Sequence, residues 1–514
     1  MLKFFIKKPL FNAALFFCLL IFMPIAAASA TAEERQLSQN KQLKIADNTF
    51  DYQVTGGTLI LREPSGDPMA ELSYVAYTLD DAEPSQRPIT FFWDGGPGGA
   101  TFAENFMGFG PQRYFASQHK TAGAPYQTQT NPYTLLPQTD LVFIDPVGTG
   151  YSKALGHYVD AEFWGVEPDA EAMAAAIVRY LQKNQRWQSP KFLFGTSYGT
   201  SRASVLAHKL QSEGVILNGV MLFGSALNFA FHSYGLDHQF LLAFPSFAAT
   251  AWHHGKTQYS DLDLPAFLEK VNDFVQNDYG PALFAGNQIS AEQKQAIAEK
   301  MAGFIGLDPQ YIKDAHLRVS VVRFRKELLR DQGFSIGRMD SRQTSQDFDN
   351  IGEEAEADYR FLETLIIPAR VIVEDFYNRE LGLETTQNYQ LNADGAIEAW
   401  RWNLNLPPIA GVSDRELAEV NIFPQNAWPA GLLATAMRTN PSLRVFQAHG
   451  YYDMATPFSW GDYDLAHMTH NQQLKDRITT SYYDAGHVIY SDDEAIADIY
   501  ADLKAFYEAA LAEQ

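Results

Sequence analysis

Lys191-Phe192-Leu193-Phe194-Gly195-Thr196-Ser197-Tyr198-Gly199 is the stretch from which the rest of this 514-residue chain can be read. A short apolar run leads into Gly-x-Ser-x-Gly, and a helix is expected to open at Tyr198. This is the sequence form of a strained strand-to-helix turn that lifts a serine hydroxyl above a parallel sheet. Such a turn crowds its flanks, and glycine on both sides relieves the crowding. Ser197 is therefore a candidate nucleophile.

Outward from Ser197 the same pattern recurs. Ile89–Trp93, Leu141–Ile144 and Val220–Phe223 are further short apolar runs ending in glycine, proline or aspartate. Between the second run and the elbow, Met173, Ile177, Tyr180 and Leu181 share one face of a helix with Pro168 near its start. Strands alternating with helices imply an α/β fold with a mostly parallel sheet covered on both faces. Residues 50–80 alternate around Gly56-Gly57 and suggest an antiparallel hairpin. Residues 31–49 look like a polar, poorly ordered leader. From 225 to 410 the alternation stops, and capping signals at Asp263 and Ser290-x-x-Gln293 mark a largely helical insertion. Strand character returns in 411–514 at Arg444–Gln447 and Ile478–Tyr483, and a helix closes the chain. The reading is a core in two parts, 50–224 and 411–514, with a helical cap between them.

Residues 1–30 are expected to be a signal peptide: Lys3, Lys7 and Lys8, an apolar run from Leu10 to Ile25, then Ala28-Ser29-Ala30. The mature chain then starts near Thr31 and is periplasmic or secreted. Cys18 falls within that segment, which leaves no cysteine for disulfides, thiolate chemistry or metal ligation. Net charge is −22, and no basic cluster follows the leader, which argues against nucleic acid. Stable membrane association is not expected, and the oligomeric state is left open. The acidic run 347–358 lacks the ligand spacing of a calcium loop and reads as a solvated face. His253-His254 reads as surface. No metal site and no cofactor is expected.

A serine needs a histidine to take its proton and an acid to orient that histidine. In this sheet architecture the chain order is serine, acid, histidine, with the last two on loops after late strands. Asp453 and His487 fit, with Gly486 allowing the histidine loop to turn tightly. His449, His467 and His470, and Asp462, Asp464 and Asp484, are rivals that fit less well; the three aspartates read as surface or turn groups. The oxyanion donors are expected to be the N–H groups of Tyr198 and of Gly96, the latter in the loop Trp93-Asp94-Gly95-Gly96-Pro97-Gly98-Gly99.

Gly95–Gly98, Asp145-Pro146-Val147-Gly148-Thr149-Gly150-Tyr151-Ser152, Gly195–Gly199, Asp453 and Gly486-His487 together resemble the serine carboxypeptidase family, especially its bacterial branch. The resemblance runs from about 85 to 490. It implies an α/β-hydrolase fold with a helical insertion over the site, and release of C-terminal residues from peptide substrates through an acyl-enzyme without metal or organic cofactor. It also implies that Asp94, Gly95 and Thr196 meet the substrate. The family usually has asparagine at Asp94 and glutamate at Thr196, both for the terminal carboxylate, and often cysteine at Gly99. The alternatives are a related hydrolase of other selectivity (aminopeptidase, esterase or acyltransferase) or a binding protein on the same scaffold.

Overall fold

The centre of the molecule is a sheet whose main path runs through nine strands. In chain order they are β1 (Gln36–Ile45), β2 (Asn48–Arg62), β3 (Pro68–Leu79), β4 (Ile89–Trp93), β5 (Asp140–Ile144), β6 (Lys191–Thr196), β7 (Gly219–Phe223), β8 (Arg444–Gly450) and β9 (Ile478–Tyr483). Their spatial order is β1-β2-β3-β5-β4-β6-β7-β8-β9, and a two-residue strand, Lys153–Ala154, pairs off β3. The first three strands and the β3–β5 contact are antiparallel. From β5 to β9 every pairing is parallel. This computed structural model describes residues 32–80, 82–118, 123–232, 235–356, 358–404, 427–468 and 471–512. The expected signal peptide and His470 lie outside the described residues. Among the described residues no helix is long and apolar enough to cross a membrane.

Strand β6 shows why these short apolar runs are strands. Its residues are all buried, and alternate side chains enter two different cores. Phe192 and Phe194 join the layer holding Phe92, Phe223, Tyr490 and Phe506. Leu193 faces the opposite layer with Phe91, Ile177, Leu206 and Leu433. Helices α1 (Val166–Lys183) and α2 (Tyr198–Ser212) and the later helix Pro429–Thr439 cover that second face. The C-terminal helix Ile496–Leu511 covers the first, through Leu503 and Phe506. With both faces dry, the central strands carry apolar residues on both faces rather than alternating with polar ones.

Two expectations for the N-terminal third are corrected. The stretch expected to be a disordered leader forms β1, paired residue for residue with β2. Its polarity reflects an edge position, with Leu43 alone among its ten residues fully buried. Gly56-Gly57 is not a turn but lies mid-strand in β2. The β2–β3 turn is at residues 63–67, where Glu63 N–H bonds Asp67 O. A side chain at Gly56 would strike Leu381, and one at Gly57 would strike the Tyr74 ring, so glycine serves close packing here.

The middle segment is mostly helical and divides in two. Helices α3 (His238–His253), α4 (Leu264–Phe274) and α5 (Ala291–Ile305) build a separate apolar core around Phe244, Phe267 and Phe304. Asp263 caps α4, and Ser290 with Gln293 closes a capping box on α5. Residues 361–381, by contrast, pack into the main core through Leu365, Ile372 and Phe376. The acidic run is not uniformly solvated. Asp347 is buried in an ion pair with Lys326 at 2.6 Å, and Asp358 accepts the Arg338 and Met339 N–H groups. His253 is exposed as expected, but His254 is half-buried against the Ser341 carbonyl.

Candidate active site

Ser197 is the residue between β6 and α2, with φ 56° and ψ −126°. A non-glycine residue held in that region is strained, and the surroundings must impose it. Close packing on both sides imposes it: a side chain at Gly195 would strike the Gly199 carbonyl, and one at Gly199 would lie 2.9 Å from Asp94 O and Trp93 Cδ1. The Ser197 N–H is fixed to Phe223 O at 2.9 Å, at the end of β7.

The next residue along β7 links the elbow to the acid and the histidine. A side chain at Gly224 would stand 3.2 Å from both His487 Nδ1 and Thr456 Oγ1. His487 Nδ1 lies 2.7 Å from Asp453 Oδ2, with 4% and 1% of the two residues exposed. Asp453 also accepts from Ala455 N–H (2.7 Å), Thr456 N–H (2.8 Å) and Thr456 Oγ1 (2.8 Å). An acid holding that many donors is set to accept, so the proton between the pair belongs on Nδ1 and leaves Nε2 free for a hydroxyl. The His487 N–H donates to Met339 O at 2.6 Å, and a side chain at Gly486 would meet Asp340. Gly486 therefore serves a close approach of residues 339–340. Thr456 was not legible beforehand.

The glycine loop expected to hold an oxyanion donor follows β4. Gly96 is exposed with φ 103°, while Gly95 has no room for a side chain: a Cβ would lie 2.6 Å from Ser197 Cβ and 2.7 Å from Tyr198 N. Tyr198 is the first residue of α2, where an N–H has no acceptor within the helix. Asp94 is half-buried, and its Oδ1 accepts the N–H of Gly95 at 2.6 Å. Burial raises its pKa, against the opposing pull of that N–H, His487 and Arg202. Thr196 is buried, with Oγ1 3.2 Å from Tyr490 Oη.

Behind the loop lies an acid that sequence reasoning missed. Glu104 is fully buried in a π-helical turn, Glu104–Phe109, and accepts from Tyr490 Oη at 2.6 Å. Burial and the nearby charge of Asp94 push its carboxyl up to about 8. At neutral pH it holds a proton beside Asp94. The available signal was one acid within the apolar stretch Ala100–Phe109.

A cavity of about 440 Å³ opens beside His487, with Met107, Met339, Val488 and Arg342 in its walls. Arg342 is held by Asp340 and Asp492 at 2.6 and 2.7 Å. Of the rivals, His449 is buried 3.4 Å from Asp462, and His467 is exposed on its helix. Asp464 is no surface group: it is buried, and burial pushes it up to about 8. Among the described residues no three His, Cys, Asp or Glu side chains converge to hold a metal ion.

Strand order, the strained elbow after β6 and a glycine loop after β4 define an α/β-hydrolase, and its chemistry is that of a serine hydrolase. Residues 65–234 match the model of the serine carboxypeptidase family. That stretch holds Asp94–Gly99, the 145–152 block and Ser197, but neither Asp453 nor His487. No curated protein matches the chain. Solved structures similar to it include a proline iminopeptidase of Mycobacterium smegmatis (12% identity, 93% of this chain and 100% of that one, TM-score 0.35). An acetylester hydrolase of Corynebacterium glutamicum is similar at 11% identity, covering 92% and 96%, with TM-score 0.36. Likenesses this distant say nothing of what the chain acts on.

Proposed function

We propose that this serine hydrolase is a serine carboxypeptidase: Ser197, His487 and Asp453 release the C-terminal residue of a peptide through an acyl-enzyme. The observation that carries the reading is the buried Asp453–His487 pair at the end of β7, against the same Phe223-Gly224 step that fixes Ser197. In this mechanism Ser197 Oγ attacks the scissile carbonyl and His487 Nε2 takes its proton. The carbonyl oxygen becomes an oxyanion facing the N–H groups of Gly96 and Tyr198. His487 then protonates the leaving amine, and a water deprotonated by the same ring hydrolyses the ester.

Because the leaving amine takes its proton from His487, the departing residue lies on the His487 side. The cavity of about 440 Å³ beside His487 is the space we assign to that residue. A terminal carboxylate would face Asp94. Two charged carboxylates about 4 Å apart repel by roughly 4 kcal/mol at an effective dielectric near 20. Protonation of Asp94, whose carboxyl burial already pushes upward, removes that repulsion, so free-acid peptides are bound better as pH falls. Export, by the leader in residues 1–30, belongs to the same reading.

The test is a set of matched peptides with free or amidated C-termini and free or acetylated N-termini. Hydrolysis should need the free C-terminus and ignore acetylation. Dependence on a free amine would replace this reading with an aminopeptidase, and indifference to both ends with an esterase or endopeptidase.

A further inference from the structure

Four of the five residues Gly95–Gly99 are glycine, and glycine resists being held in one conformation. A loop of this composition cannot aim an N–H at an oxyanion by its own side chains. Its orientation has to come from outside: the Ala393 N–H bonds Gly98 O at the far end, and two side chains tether the near end. Trp93 Nε1 donates to Gly199 O at 2.8 Å, joining the end of β4 to the elbow. The second is Arg202, one turn into α2 and 1% exposed.

The Arg202 guanidinium grips Asp169 of α1 in bidentate fashion, Nε to Oδ2 at 2.7 Å and Nη2 to Oδ1 at 3.1 Å. That alone would satisfy a buried ion pair. The remaining arm is directed elsewhere: Nη1 donates to the main-chain oxygen of Asp94 at 2.8 Å. In a trans peptide the C=O and the following N–H lie in one plane and point opposite ways. Holding Asp94 O toward α2 therefore fixes the Gly95 N–H, which Asp94 Oδ1 receives, and with it the direction in which the chain enters Gly96. The same guanidinium lies 5.3 Å from the ring centroid of Tyr198, whose N–H is the other expected donor. One planar side chain thus touches residues next to each expected donor, the Asp94 carbonyl and the Tyr198 ring, and a lysine could not reproduce its fork.

We propose that Arg202, oriented by Asp169, is a positioning residue that holds the Asp94–Gly96 loop in the geometry that stabilises the oxyanion. The inference rests on Ser197 being the nucleophile.

Removing one partner would strand a buried charge and endanger folding. The informative variant is therefore the double substitution Asp169→Leu/Arg202→Met, compared with Arg202→Lys and with wild type. Loss of an aligned oxyanion donor lowers kcat by about 10²-fold. The double variant should fold, keep KM within about threefold and lose kcat on that scale. A peptide boronate, which forms a tetrahedral adduct, should lose affinity in parallel, while a product peptide should bind unchanged. Arg202→Lys should show a smaller loss of the same kind, and decides the matter alone if the double variant does not fold. A folded variant with kcat near wild type, or boronate and product affinities falling together, would overturn the proposal. Failure of the underlying reading shows separately, as a wild-type enzyme whose Ser197 takes no fluorophosphonate.

Discussion

Replacing Glu104 by glutamine should flatten the pH dependence of stability. Glu104 is fully buried, and its carboxyl is pushed from an ordinary 4.5 to about 8 by burial and by Asp94. Between those values the folded chain keeps a proton that the unfolded chain has released. Stability therefore falls as pH rises, by about 1.4 kcal/mol per pH unit. The contribution is complete below about 4.5 and gone above about 8. Glutamine keeps the shape and an acceptor for Tyr490 but cannot titrate. From pH 5.5 to 7.5 the wild type should lose up to about 3 kcal/mol more than Glu104→Gln. Asp145, pushed by burial to about 6, and Asp464 titrate in both proteins and largely cancel. The assay is denaturant unfolding of both proteins at the two pH values, read as midpoints with slopes compared. Parallel pH dependence would refute the assignment of a held proton to this carboxyl.

Further outcomes follow from the site. Ser197→Ala, Asp453→Ala and His487→Ala should each remove most hydrolysis, and any two together should cost little more than the worst single change, measured as kcat/KM. Asp94→Asn should raise activity on free-acid peptides at pH 7.5 more than at pH 5 and leave amidated peptides unchanged, because only a facing carboxylate repels the substrate at the higher pH. Gly95→Ala puts a methyl group 2.6 Å from Ser197 Cβ and 2.7 Å from Tyr198 N, so the loop or the elbow must shift. A displacement near 1 Å costs about 10²-fold in rate, and the variant should still show wild-type circular dichroism.

What the sequence made legible was local or ordered along the chain. The elbow is read from one short motif: Gly195 has its steric reason in Gly199 itself, although Gly199 has its own in Trp93 and Asp94. Asp453 and His487, which the structure brings together, were singled out by their order after Ser197 and by their positions behind β8 and β9. What escaped was tertiary. Strand β1 looks like a polar leader because an edge strand held by main-chain bonds needs little burial. Gly56-Gly57 looks like a turn because the packing that requires glycine there comes from elsewhere in the chain: Leu381, over 300 residues on, against Gly56, and Tyr74 against Gly57. Glu104 and Arg202 gave no spacing signal, since their partners Tyr490 and Asp169 meet them only in the folded chain. Asp464 looked like a surface acid for the same reason.

The most direct test of the central claim is intact-mass and peptide-map analysis of the enzyme quenched in acid during turnover of an activated acyl ester. The account requires one acyl group per chain, carried on the peptide containing Ser197 and absent in Ser197→Ala. Steady hydrolysis with no adduct on Ser197, or with turnover surviving in Ser197→Ala, would contradict it.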